Sequence, residues 1–450
     1  MPLDLVIRDA LVVGPRGPEQ MTIGIENGRI VSLAPEPAGA ARDTIDARGL
    51  HAFPGIIDAH VHFNDPGRAD WEGVETGSSA LVAGGGTCLV DMPLNSSPPT
   101  LDRASFEAKI AAFRGKARAD FALWGGLTPD NLDRMEELAE CGVVGFKAFM
   151  SGSGIDDFRS CDDETLFRGM RIAARLGLPV AVHAENDGMT RALAAEARRA
   201  GRTGVRDYLA SRPIAAEAEA VSRALLFAAE TGCALHVVHA SSSRAVDLVR
   251  QAADARLCDA TVETCPHYLL LSEEDVIRLG ARAKCAPPLR APDEREQLLA
   301  QVVAGRVDTI GSDHSPSPPA MKESANFFAA WGGIAGIQST LRVLLTLGVP
   351  PHLIGDLVSG NVARRFRLPG KGGLRVGADA DIALVDLGAA AEVREDELLS
   401  RHRLSPYVGR SLRGVVTRTL ARGRTVFADG KVAGEPAGRF IRPGADPRTV

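Results

Sequence analysis

An alternation of short apolar runs with helix-forming stretches occupies the middle of this 450-residue chain. Eight apolar or β-branched runs occur there, and most are separated by segments rich in Ala, Leu, Arg and Glu, such as residues 214–229. Eight strands that alternate with helices over roughly 310 residues suit a (β/α)8 barrel. The runs lie near residues 55–61, 87–92, 120–124, 143–149, 179–183, 234–239, 259–264 and 307–311.

A doubly wound parallel sheet is the rival architecture for the same alternation. That fold binds dinucleotides with a glycine fingerprint directly after its first strand, and the glycines after the first run do not form one. The triplet at residues 84–86 precedes a strand and is typical of a helix end followed by a turn. Because eight is also the strand number of the barrel, the sequence favours the barrel.

Both ends of the chain contain short β-type runs and tight turns. Asn27 and Gly28 form a hairpin signal because both residues accept positive φ, and an Asp-Gly turn occurs near the C-terminus. We therefore predict an α/β fold in which both termini build one small β-sandwich. The predicted domains are residues 1–53 and 369–450 for the sandwich and residues 54–368 for the barrel. The tail after Val432, which includes residues 442–447, is predicted to be extended, either wrapping a neighbouring subunit or staying loose.

The bulk composition excludes several classes of protein. Apolar content of 45% and charged content of 24% are ordinary for a globular protein. The net charge of −5 gives no electrostatic reason to expect nucleic acid or an anionic membrane as partner. Seven Cys without a Cys-x-x-Cys pair indicate reduced thiols, and no run approaches the 18 apolar residues of a membrane span. We expect a cytoplasmic protein that acts on a small molecule.

His60 and His62 close the first apolar run. Residues two apart on a strand share one face, so both imidazoles can reach the same point. Imidazole is the commonest metal ligand among side chains. The chain has ten His, so one His-x-His pair is also expected by chance, and a metal site needs partners elsewhere.

In a (β/α)8 barrel the reactive groups sit at the carboxyl ends of the strands, which restricts the search to eight positions. His236 lies three residues before His239 and points to the opposite side, so it is left out. His267 is expected to be structural, and His314 to point away from its neighbour. The candidates at matching ends of five strands are His60, His62, Lys147, His183, His239 and Asp313.

Four imidazoles and a carboxylate suit one or two Zn²⁺-like ions. A free ammonium is a poor metal ligand because its nitrogen holds a proton. Lys147 would have to lose that proton, or react with CO₂ to form a carbamate whose two oxygens bridge two metal ions. An unmodified Lys147 that binds an anionic substrate is the alternative.

At these positions the chain resembles the cyclic amidohydrolases of the amidohydrolase superfamily. The motifs that carry the resemblance are residues 54–62, 145–147, 238–241 and 312–314. The resemblance implies a (β/α)8 barrel with a small β-sandwich, and hydrolysis of ring amides by two divalent metal ions on a carboxylated lysine. It also implies a homotetramer. Carried over by residue, His60, His62 and Asp313 hold one metal, His183 and His239 hold the other, Lys147 bridges them, and Asp313 transfers the proton.

The substrate is expected to be a neutral ring. Family members that act on carboxylated rings, such as dihydroorotase, usually carry an Arg two residues after the second His, where this chain has Asn64. Hydantoinases usually have a Tyr shortly after the lysine strand, where residues 150–153 stand here. Other ring amidases, including hydantoinase, dihydropyrimidinase and dihydroorotase-like enzymes, remain alternatives, as does a non-catalytic scaffold. The predicted substrate contacts are Asn64, Asn95, Cys285 and Ser315.

Overall fold

Five strands open the chain in the computed structural model, which describes residues 2–35 and 39–444. The first strand is central, because it pairs with the second, fourth and fifth strands. Asn27 and Gly28 have φ of 51° and 77°, so the predicted hairpin turn is confirmed. The strands are β1 (Leu3–Gly14), β2 (Gly17–Glu26), β3 (Arg29–Ala34), β4 (Ala41–Asp46) and β5 (His51–Pro54).

The barrel follows without a break after β5, and each of the eight predicted runs contains a strand. Two consecutive pieces, separated by Trp124, together form the third barrel strand. The His62 amide donates to the His314 carbonyl at 2.8 Å and thereby joins the first strand to the segment after the last. The strands are β6 (Ile56–Val61), β7 (Gly86–Asp91), β8 (Asp120–Leu123), β9 (Gly125–Gly126), β10 (Phe146–Phe149), β11 (Val180–His183), β12 (Leu235–Val237), β13 (Ala260–Thr264) and β14 (Thr309–Ile310).

Helices cover the outside of the barrel, which is why its strands are apolar on both faces. No helix in the two described stretches of chain combines the length and apolar character needed to cross a bilayer. The helices are α1 (Val74–Ala83), α2 (Arg103–Phe113), α3 (Met135–Cys141), α4 (Asp163–Arg175), α5 (Asp187–Arg199), α6 (Val205–Ala210), α7 (Ile214–Thr231), α8 (Ser243–Asp254), α9 (Pro266–Leu270), α10 (Glu273–Leu279), α11 (Pro292–Val303), α12 (Thr340–Thr346), α13 (Pro351–Gly355) and α14 (Asn361–Arg365).

Four strands from the C-terminal part complete the first sheet, because β15 pairs with β5 in antiparallel register. Ile7 and Ile23 pack with Ile382 and Leu384 in a hydrophobic core separate from that of the barrel. The predicted barrel with a β-rich domain built from both ends is thus confirmed, whereas the exact domain boundaries stay a prediction. The last strands are β15 (Ile382–Glu392), β16 (Ser411–Ala421), β17 (Arg424–Ala428) and β18 (Lys431–Val432).

The tail after β18 packs on the barrel of its own chain. The Ile441 amide donates to the Phe121 carbonyl at 2.7 Å, and Phe440 contacts the ring of Phe106. The prediction of a loose tail is therefore wrong for the residues up to 444. Residues 445–447 of that predicted segment lie outside the described residues.

A buried charge cluster joins the β-rich domain to the barrel. Lys371 Nζ lies 2.6 Å from Asp120 at the start of β8, and 3.0 and 2.7 Å from Asp379 and Asp381 before β15. Arg422 also pairs with Asp120. The three carboxylates resemble a metal site, but the lysine ammonium already occupies the point where they converge.

Replacing Lys371 with Met should lower the free energy of unfolding by about 3–5 kcal/mol, because it leaves buried carboxylates without their cation. Urea denaturation of the purified protein measures the change. Lys431→Met, which removes an exposed lysine on β18, is the matched control and should change stability by less than about 0.5 kcal/mol. Equal stabilities of the two variants would contradict a stabilising role for the cluster.

Candidate metal centre and active site

The six residues predicted from strand ends come together at the carboxyl end of the barrel. A cavity of about 590 Å³ opens above them, and all six except Lys147 line it. Lys147 lies on β10 and is fully buried. The sequence prediction that these side chains share one face of one barrel therefore agrees with their placement. The five lining residues are His60, His62, His183, His239 and Asp313.

The first group within this centre consists of His60, His62 and Asp313. The Nε2 atom of each imidazole lies 3.3 Å from Asp313 Oδ1. Ligand atoms of the three residues all lie within 4.8 Å of one another. Two imidazole nitrogens and a carboxylate oxygen at this spacing suit a single divalent ion.

The second group consists of His183 and His239, whose Nδ1 and Nε2 atoms lie 3.2 Å apart. His183 presents Nδ1 because its other nitrogen, Nε2, bonds Glu185 Oε2 at 2.8 Å. Phe149 stacks on the His183 ring at 4.5 Å and limits its rotation. Burial lowers the pKa of both imidazoles, which keeps them neutral, as metal ligands must be.

Lys147 lies where it influences both groups. Burial lowers its pKa to about 8, and its charge in turn lowers the pKa of His60, His183 and His239. Among the described residues its Nζ has no hydrogen-bond partner, and the centre of the Phe149 ring lies 5.1 Å away. An amine with a lowered pKa is more often unprotonated, and the unprotonated form is the one that reacts with CO₂. The donor set therefore fits two divalent ions bridged by a lysine carbamate.

The backbone is strained at two of these residues. His239 and Asp313 have φ of 42° and 44°, in the left-handed region that residues other than Gly and Asn rarely adopt. Such conformations cost about 1–3 kcal/mol each and concentrate at functional sites. Residue type did not reveal them, because neither His nor Asp marks a left-handed position as reliably as Gly does.

Glu263 is a functional residue that the sequence reasoning missed. Its Oε1 lies 2.7 Å from His60 Nδ1, which leaves His60 Nε2 directed at Asp313. Burial would raise the pKa of Glu263, but His60 and His236 lower it to about 2, so it is ionised. Carboxylates behind histidine ligands fix ring orientation and raise ligand basicity. A charged residue inside the apolar strand β13 was the available signal.

Glu185 has the corresponding role behind His183 and was also missed. Its carboxylate bonds His183 Nε2 and pairs with Arg212. Burial would raise its pKa, whereas Arg212 and His183 lower it to about 2. Glu185 is two residues after His183, and that spacing was the available signal.

Three of the four predicted substrate contacts line the cavity, namely Asn95, Cys285 and Ser315. Burial raises the pKa of the Cys285 thiol to about 12, so the thiol is neutral. Asn64 does not line the cavity. It is buried at 1% exposure, and its side-chain amide has no hydrogen-bond partner in the part of the chain that the structure describes. The prediction for Asn64 comes from the resemblance, because dihydroorotase usually carries an Arg at this position. In the structure Asn64 follows the end of strand β6 at Val61 and has a φ of 63°.

The histidines set aside from the sequence also lie outside the cavity wall. His236 Nδ1 bonds the Thr261 hydroxyl at 2.8 Å, and its Nε2 lies 3.6 Å from Glu263 Oε2, behind the carboxylate that bonds His60. His314 Nε2 lies 3.5 Å from Glu72, and the His267 ring lies 4.3 Å from that of Tyr268, tilted by 55°. None of the three imidazoles is among the cavity-lining residues.

A (β/α)8 barrel with imidazoles, a carboxylate and a buried lysine at its carboxyl end defines a metal-dependent hydrolase. The chain belongs to the amidohydrolase family, whose model matches residues 52–426. The family and the His60, His62, Asp313 cluster together support the use of divalent metal ions.

Within this family the chain is most clearly similar to proteins named allantoinase. It is 56% identical to the allantoinase of Rubrobacter xylanophilus over 98% of both chains. It is 53% identical to that of Deinococcus radiodurans, over 98% of this chain and 99% of the other. The L-hydantoinase (dihydropyrimidinase) of Arthrobacter aurescens has the same fold, with a TM-score of 0.95, 32% identity, and coverage of 98% of this chain and 100% of that one. Residues 71–73, 91–100, 284–290 and 330–333 had indicated a resemblance to allantoinase, which is confirmed.

Replacing Glu263 with Gln should weaken divalent-metal affinity by about 10–100-fold, because a neutral amide no longer holds and polarises His60. Competition with a chromogenic chelator measures the affinity. Glu136→Gln, on the exposed surface of α3, is the control and should leave affinity unchanged. An unaltered affinity in Glu263→Gln, with circular dichroism like that of the unsubstituted protein, would remove Glu263 from the metal centre.

Proposed function

We propose that this protein hydrolyses a ring amide of allantoin to give allantoate. The observation that carries the proposal is the convergence of six side chains below one cavity in a chain that matches named allantoinases over 98% of its length. Allantoin is a neutral hydantoin ring with a ureido arm. Asn64, where carboxylate-binding relatives usually have an Arg, is consistent with an uncharged ring.

For the metal centre we propose two divalent ions, most simply Zn²⁺. His60, His62 and Asp313 would hold one ion, His183 and His239 the other, and a carbamate on Lys147 would bridge them. The unpartnered Nζ of Lys147 and the neutral imidazoles support this assignment. Bound divalent ions activate water as a nucleophile and polarise the carbonyl under attack.

Asp313 is the proposed proton carrier. Burial would raise its pKa, but His60, His62 and His239 lower it well below its ordinary value, so the residue is a carboxylate at neutral pH. It can accept the proton of the attacking water. A carboxylate with a lowered pKa holds that proton weakly, and therefore passes it on to the ring nitrogen as the amide bond breaks.

The proposed substrate contacts are the three cavity-lining residues Asn95, Cys285 and Ser315. They offer neutral donors and acceptors, which match the amide groups of a hydantoin ring and its ureido arm. For Asn64 we propose an indirect role in substrate selection, because a neutral side chain there provides no anchor for a carboxylated ring.

Hydantoinase or dihydropyrimidinase activity is the second candidate, favoured by the close likeness to the Arthrobacter aurescens L-hydantoinase. We expect kcat/KM for allantoin to exceed that for hydantoin, dihydrouracil and dihydroorotate by about 100-fold or more, since a site built for hydrogen bonds rejects rings that lack them. Rates with the metal-loaded enzyme on all four rings test this. Preferential hydrolysis of dihydrouracil or hydantoin would replace allantoin as the assigned substrate.

Substitutions of Lys147 and of Asp313 should impair the enzyme in different ways. Lys147→Ala should lose both metal loading and activity, because it removes the proposed bridge. Asp313→Ala should keep the fold but lower turnover by about 10³-fold, since the proton carrier is gone. Elemental analysis, circular dichroism and allantoin hydrolysis distinguish the two. A Lys147→Ala protein that still holds two metals, or an Asp313→Ala protein with near-normal turnover, would contradict the assigned role.

We further propose a cytoplasmic homotetramer without nucleic-acid or membrane partners. All seven Cys are free thiols, which suits a reducing compartment. The tetramer is proposed from the resemblance to the cyclic amidohydrolases, which are usually tetramers. The scaffold alternative loses its basis, because the chain keeps all six residues of the centre.

A further inference from the structure

One wall of the cavity is a single loop. Residues 328–333 all line the cavity, and none of them lies in a helix or strand. The Trp331 amide donates to Met321 O at 2.7 Å and that of Gly333 to Lys284 O at 2.7 Å. The Ala329 and Ala330 amides donate to Asn326 O at 2.9 and 3.2 Å, so a turn forms the first half of the loop. Side-chain contacts add to these backbone bonds in fixing the position of the loop.

Lys284 supplies part of that support. Its ammonium donates to the carbonyl of Phe327 at 2.7 Å and to that of Ala330, at the two ends of the loop's first turn. It also lies 4.5 Å from the centre of the Tyr208 ring, a cation–π distance. The side chain is only 5% exposed and itself lines the cavity.

Lys322 holds the other half of the same loop. Its ammonium donates to Gly333 O at 2.8 Å, with Trp331 O at 3.5 Å and Ala281 O at 3.3 Å. Neither Lys284 nor Lys322 has a carboxylate partner within residues 2–35 and 39–444. Burial lowers the pKa of Lys284 to about 7 and of Lys322 to about 8. The two ammonium groups thus bond backbone carbonyls at an electrostatic cost.

The loop in turn abuts the proton carrier's segment. Gly333 has a φ of 105°, and a Cβ there would lie 2.1 Å from Ser315 O. The loop backbone therefore touches the backbone of the segment after Asp313 directly. The Ser315 amide donates to Ile334 O at 3.0 Å. Ser315 is two residues after Asp313. At the outer edge, Trp331 packs edge-on against Trp71 at 5.0 Å.

We propose that Lys284 and Lys322 are positioning residues that clamp residues 327–333 as the substrate-facing wall of the cavity. The two lysines act through the loop and not on the reacting atoms. Met has nearly the volume of Lys and removes a costly buried charge, so Lys→Met substitutions should leave the fold intact. The substitutions should weaken substrate binding, because the loop shifts while the metal centre stays in place. The clamp rests on the proposed function in one respect only, which is the choice of allantoin as the substrate for the kinetic test.

Steady-state kinetics with allantoin test the clamp in Lys284→Met and Lys322→Met. KM should rise by about tenfold in each variant, while kcat stays within about threefold and metal content is unchanged. Lys322→Arg should restore much of the loss, since a guanidinium can donate to the same carbonyls. The exposed Lys431→Met is the matched control and should behave like the unsubstituted enzyme.

Acrylamide quenching of Trp331 provides a readout without substrate. In a Trp71→Phe background the remaining tryptophans are Trp331 and the fully buried Trp124. Quenching should increase in both lysine variants and not in Lys431→Met. Unchanged quenching together with unchanged KM would overturn the clamp. If allantoin is not the substrate, the quenching result still tests the clamp. If Lys284→Met does not fold, the comparison of Lys322→Met with Lys322→Arg tests it.

Discussion

The burial of the Lys147 amine without a hydrogen-bond partner is the constraint on which the active site depends. Burying an ammonium costs several kcal/mol, and the contact that the structure shows for Lys147 Nζ is a cation–π one, with the centre of the Phe149 ring 5.1 Å away. Carboxylation, as proposed here, would turn that cation into an anion with two oxygens. Under that proposal, the carbamate would serve both histidine groups.

The two histidine groups are supported by carboxylates in different surroundings. Glu263 belongs to the barrel wall, where it bonds His60 and accepts from the His239 amide at 3.3 Å. Glu185 is neutralised by Arg212, which also lines the cavity. The carboxylate that holds His60 thus lies within the barrel, whereas the carboxylate that holds His183 pairs with an arginine that lines the cavity. Arg212 therefore connects the cavity surface to Glu185 and, through Glu185, to His183.

The barrel and its six central residues were predictable because both follow from short-range rules. Apolar runs mark the strands. Because the strands of the barrel are parallel and reactive groups lie at their carboxyl ends, His60, His183 and Asp313 are expected at one end of the barrel. The supporting residues were not predictable in this way. Glu263 meets His60 across 203 positions of sequence, and Lys284 meets Phe327 across 43. Such contacts depend on the closed barrel. A charged residue within the apolar strand β13 marks Glu263 as unusual but does not identify its partner.

Asn64 shows where prediction from the resemblance stops. The prediction that it contacts substrate rests on the Arg that dihydroorotase usually carries there, but Asn64 lies after the end of strand β6 and is not among the residues that line the cavity. Recognition of a neutral ring then falls to the wall that does face it, much of which is loop backbone. Backbone donors and acceptors select a ring only if they are held in place. Lys284 and Lys322 donate to carbonyls of that loop, so in the proposed clamp their charge fixes the shape of this wall.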